Sequence, residues 1–171
     1  MIQDLKDGLF ASPFYILMSQ LPISGKTVRV SRFLIFLIYN VSFNSFLISG
    51  IYILSAELRE LIPLSHFPAL LISFLALGIA IGGIIPAGEP GYRYRNKLHP
   101  YLFSGIFNGL GIAFIIGAQF VLPQGIIGWL VQLISAYPII TASVLILAAI
   151  FASLLWMKEM KRYIQMADYH I

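Results

Sequence analysis

Four long runs of this chain carry no ionisable residue, and that bounds what it can fold into. Residues 33–54, 67–87, 101–122 and 138–157 contain no Asp, Glu, Lys, Arg or His. Each is close to the ~20 residues a helix needs to cross a hydrocarbon core about 30 Å thick. Inside hydrocarbon every backbone N–H and C=O must find its partner within the protein, so such runs are predicted to be helices. A transmembrane barrel would need short alternating segments, and these runs do not alternate. Composition agrees: of 171 residues, 59% are hydrophobic and 11% charged, against about 25% charged in a soluble domain. The expected fold is an all-α integral membrane protein, a four-transmembrane-helix bundle forming a single membrane domain over 1–171, with a helical tail over 158–171.

Two shorter apolar stretches are expected to lie at the membrane interface. The first, 9–23, is interrupted by Pro13 and Pro22. The second, 125–136, is too short to span, and Pro138 separates it from the run that follows. Trp129 is placed to anchor it at the headgroups. The start of the chain lacks the basic region and small-residue cleavage site of a secretory signal, since Asp4 and Asp7 flank Lys6.

Basic residues set the expected orientation. Lys6, Lys26, Arg29 and Arg32 precede the first run, Arg93, Arg95 and Lys97 separate the second from the third, and Lys158, Lys161 and Arg162 follow the fourth. Only Arg59 lies in the remaining connections. Cytoplasmic loops carry the excess of Lys and Arg, so both termini and the 88–100 connection are expected inside. Compact connections suggest a prokaryotic plasma membrane.

Within lipid, helices associate through close packing and interhelical hydrogen bonds, so small residues at four-residue spacing mark contact faces. Gly105, Gly109, Ala113 and Gly117 form such a row on the third run, and Gly78 and Gly82 a pair on the second. Asn40 and Asn44 lie one turn apart on the first run. Their amides would be costly against lipid and are expected to face protein, with Asn108 of the third run as a candidate partner.

Three constellations invite a chemical role. In the 88–100 connection, Tyr92, Arg93, Tyr94, Arg95, Lys97 and His99 interleave rings with cations at headgroup level, a pattern suited to an anionic lipid or acidic partner. The connection is too short for a nucleic-acid surface. His66 and His99 fall on opposite sides of the expected membrane and cannot share a metal or haem, which leaves His99 at most as a single ligand to a pigment or shared cofactor. Glu57 and Glu60, at helical spacing ahead of His66, carry only a weak metal signal. With no cysteine, thiolate chemistry is excluded. No cofactor or metal is expected, and no phosphate-binding loop or hydrolase elbow occurs.

Uncharged spans also disfavour a self-sufficient proton pathway, which would place ionisable groups at membrane depth. The expected function is therefore a non-catalytic accessory or scaffolding subunit, partnered by the bilayer and by other membrane subunits or itself. The alternatives are a small-molecule or lipid carrier lined by the Asn face of the first run, and an interfacial enzyme using the 88–100 connection on an anionic or lipid-linked substrate.

Overall fold

The computed structural model describes residues 3–5, 9–11, 17, 21–88, 92–93 and 124–167, with isolated positions at 109, 113, 116, 117, 120 and 122. Helix α1 runs over Gly25–Leu54. It starts where the Ser24 hydroxyl accepts from the Thr27 amide at 3.2 Å, filling one of the donors a helix start leaves open. Ser55 ends it, its N–H donating to the Ile51 carbonyl at 2.9 Å, while its hydroxyl accepts from the Leu58 amide and opens the short helix α2, Ala56–Leu61. One residue thus turns the chain between two helices.

A 3₁₀ turn at Leu64–His66 leads into α3, Phe67–Gly82, with Pro68 in the first turn where its missing N–H costs nothing. Helix α4, Ile84–Gly88, continues after a break at Gly83. Pro86 explains the break: it has no N–H for the Gly82 carbonyl, and its ring crowds that same group. Gly125, with φ of 66°, closes a turn onto the Leu122 carbonyl in a left-handed conformation that favours glycine. It opens α5, Gly125–Ala136. Tyr137 then separates α5 from α6, Pro138–Ala167, because Pro138 disfavours helical geometry in the residue before it.

Three segments are each long and apolar enough to cross a membrane: Gly25–Leu54, Leu64–Ala87 and Pro138–Gln165. They include the expected runs 33–54, 67–87 and 138–157. The expected run 101–122 lies outside the described residues except at its isolated positions. Helix α5 is a separate apolar helix too short to span, as its length and Pro138 imply. Large side chains stand exposed along the long helices, among them Phe46 at 83%, Leu54 at 86% and Ile139 at 79%. Such a surface suits lipid and not water.

Helix α3 lies between the other two long helices, packed on α6 and on α1. Two apolar clusters mark the ends of the assembly. Phe33, Ala87 and Met160 form one, with Phe36, Leu37, Trp156 and Met157 packed around them. Ile48, Tyr52, Ile62, Leu70, Leu130 and Ile134 form the other. Hence α1 runs from the first cluster to the second, and α3 and α6 both run back. The first end holds Lys26, Arg29, Arg32, Lys158, Lys161 and Arg162 and is called here the basic end; the second is the far end.

A small antiparallel sheet adds to the helical architecture. Strand β1 (Gln3–Leu5) pairs with β2 (Leu9–Ala11), and β2 with β3 (Tyr92–Arg93), in the register Leu9↔Arg93 and Phe10↔Tyr92. The expected interfacial segment 9–23 therefore begins as a strand beside the 88–100 connection. Its other end leads to Gly25, which faces Ile164 of α6. Both limits of the segment thus lie at the basic end.

The face of α6 formed by Trp156, Met160 and Ile164 is available in sequence terms to a membrane or a partner. The structure turns it onto the chain itself. Met160 is fully buried against Phe33 and Ala87, and the Trp156 Nε1–H donates to the Ala80 carbonyl at 2.8 Å.

Candidate functional site

The polar residues at membrane depth on α1 meet the glycine face of α3. A Cβ placed on Gly78 would fall 2.8 Å from Asn40 Nδ2, 3.0 Å from its Oδ1 and 3.1 Å from Asn44 Nδ2. The absence of that atom is what lets both amides lie flat on the helix. One turn on, a Cβ on Gly82 would sit 3.0 Å from the Phe36 ring, and one on Gly83 would collide with the Trp156 indole. Three glycines of the second span thus each receive a side chain from a neighbouring helix, two from α1 and one from α6. The Gly78 and Gly82 spacing marked such a face in the sequence; its complement, the Asn row, was legible only as needing protein contact.

Asn44 Nδ2 donates to the Asn40 carbonyl at 3.1 Å, which ties that amide to its own helix. Asn40 Oδ1 is buried and accepts no hydrogen bond among the described residues. The candidate partner Asn108 lies outside them.

Two cavities line this seam and share Asn44. The one toward the basic end, about 500 Å³, runs from Arg32 past Tyr39 and Asn40 to Gly82 and Pro86. The one toward the far end is about 660 Å³. Leu47, Ile51, Leu70 and Phe74 form its walls, with Ser55, Glu57, Gln124 and Gln132 at its polar margin. A third cavity of about 460 Å³ lies between α1, α3 and α6, with Ser153 the one polar side chain among its described lining residues. The far-end cavity was not expected. Its signal is present in the sequence as Gln124 and Gln132, two amides eight residues apart, one just ahead of a largely apolar helix and one within it.

The small-residue row of the third run shows a different environment. Gly109, Ala113 and Gly117 are all exposed, and a Cβ on Gly109 or Gly117 would meet nothing within 4 Å among the described residues. Gly105 lies outside the described residues. Of the basic connection, Tyr92 and Arg93 belong to β3, whereas Tyr94, Arg95, Lys97 and His99 lie outside the described residues.

At the far end, hydrogen bonds reach across helix breaks. The buried Tyr52 hydroxyl donates to the Ile62 carbonyl at 3.0 Å, Ser135 Oγ to the Leu61 carbonyl at 2.8 Å and Thr141 Oγ1 to the Leu133 carbonyl at 3.2 Å. Arg59 donates through Nη1 to the carbonyls of Tyr52 and Ile53. Among the described residues no three His, Asp or Glu side chains gather closely enough to hold a metal ion, so Glu57, Glu60 and His66 form no such group.

Comparison with protein-family models, with curated proteins and with solved structures finds no match to the chain.

Proposed function

We propose that this chain is a four-span, N-in and C-in membrane protein that acts by associating with other membrane helices, as an accessory or scaffolding subunit. The observation that carries this is the exposure of Gly109, Ala113 and Gly117. Where lipid surrounds a helix, small residues matter because they let a second backbone approach closely. Gly78, Gly82 and Gly83 are already filled by side chains of this chain, whereas no described residue comes within 4 Å of a Cβ placed on Gly109 or Gly117. A row of that kind suits a helix supplied from elsewhere. The N-in orientation draws support from the ten-to-one distribution of basic residues and from Lys26, Arg29, Arg32, Lys158, Lys161 and Arg162 lying at one end of α1 and α6.

Native mass spectrometry of the full chain purified in mild detergent tests this. A stoichiometric membrane partner or a self-associated species is expected. Because Gly109 and Gly117 are exposed, Gly109→Leu with Gly117→Leu should leave the monomer folded and abolish the association. A monodisperse monomer from the unaltered chain overturns the proposal.

A second function draws on a separate observation, that Asn44 stands where the two seam cavities meet. This favours a carrier whose path follows α1. Asn40→Leu and Asn44→Leu should then abolish flux in reconstituted vesicles while the fold survives; unchanged flux excludes it.

A further inference from the structure

The far-end cavity is amphipathic along the helix axes. Leu47, Ile51 and Phe74 wall it at the depth of the long apolar helices, and Glu57, Gln124 and Gln132 stand at its margin. Its volume, about 660 Å³, is within the roughly 300–1,000 Å³ of small-molecule sites. Among the described residues the charge at that margin has no ion-pair partner. Arg59, the one basic residue of this connection, is committed to the carbonyls that close α1, where a cation is favoured by the helix dipole. No cation among the described residues pairs with Glu57. Glu60, on the same short helix, adds a second carboxylate nearby.

An apolar slot beside an unpaired carboxylate and two neutral amides selects among membrane amphiphiles. We propose that this cavity holds one acyl chain of a bilayer lipid whose headgroup carries an ammonium group, set against Glu57. Gln124 and Gln132 are placed to donate to the lipid's phosphate or ester oxygens. An anionic headgroup without an ammonium meets only repulsion from Glu57. This rests on α1 and α3 being embedded in the bilayer, as proposed above. It does not depend on any protein partner, because the lipid is read as added mass per copy of this chain in whatever species it forms.

The test is native mass spectrometry of the full chain from detergent micelles doped with either dioleoyl phosphatidylethanolamine or dioleoyl phosphatidylglycerol. The unaltered chain should retain phosphatidylethanolamine. Glu57→Lys should lower that retention by about fivefold, the scale of one exposed ion pair, and raise retention of phosphatidylglycerol. Leu47→Trp and Ile127→Trp, at two exposed lining positions, should fill the slot and reduce both lipids without disturbing the core. Absence of retained phosphatidylethanolamine from the unaltered chain overturns the proposal. So does retention that neither Glu57→Lys nor the Trp variants change. Loss with Trp alone, and none with Glu57→Lys, overturns the headgroup assignment.

Discussion

The ends of this molecule and its middle are held together differently. At the basic end Met160 is fully buried among Phe33, Ala87 and Trp156, although Lys158, Glu159, Lys161 and Arg162 surround it in sequence. At the far end Ile62 and Ile134 are equally buried, next to Glu57, Arg59 and Glu60. Between them the long helices expose most of their large side chains; α1 meets α3 where Gly78 receives Asn40 and Asn44, and α3 packs on α6 with the small residues Ser73, Ala76 and Ala149 buried. The division follows from solvent. Lipid tails are as apolar as leucine, so burying a side chain at mid-depth gains little beyond packing. Around Met160 and Ile62, which lie beyond the uncharged runs, water returns and apolar burial becomes a driving force again.

Substitutions can break or sharpen that contrast. The largest effect is expected from Met160→Ala, which empties a water-bordered core; about 2 kcal/mol or more should be lost, measured by denaturant unfolding in detergent. A value near zero would place that cluster inside the lipid. Gly78→Leu probes the middle. It forces Asn40 and Asn44 off the seam and should cost about 1–3 kcal/mol, despite the better helix propensity of leucine. If it is neutral, α1 and α3 are not in close contact at that depth. Tyr52→Phe leaves the buried Ile62 carbonyl without its donor and should cost about 1 kcal/mol, read as a lowered thermal midpoint. The smallest effect is expected for Trp156→Phe, which keeps most of the ring and removes the bond to the Ala80 carbonyl. Its cost should be about 0.6 kcal/mol, toward the low end of the net worth of one hydrogen bond. A larger loss would mean that this crossing, and not burial of Met160, holds the basic end.

Much of the architecture was legible because lipid simplifies the code. The runs 33–54, 67–87 and 138–157 announce helices through length and lack of charge, and Pro138 announces the break before α6. Gly78 and Gly82 announce a contact face but not its occupant, since four-residue spacing says nothing about which helix arrives. The direction of the tail face was not legible. Trp156, Met160 and Ile164 make an apolar stripe that fits a membrane surface, a partner or the chain's own α1 equally well, and only the position of Phe33 and Ala87 decides. The sheet was hidden for a related reason. Residues Leu9–Ala11 read as part of a short apolar stretch, and their pairing with Tyr92–Arg93 depends on two segments some eighty positions apart.

The two buried clusters carry a consequence for temperature. Apolar burial against water weakens on cooling, because its strength depends on a large heat-capacity change, whereas close contact of glycine with amide does not draw on that source. Chilling should therefore loosen the molecule from both tips inward. Amide hydrogen exchange near Met160 and Ile62 should accelerate relative to that around Gly78 as the bath approaches freezing. Such a protein would meet the cold with frayed ends and an intact waist, the reverse of a water-soluble helical bundle whose single core softens as one.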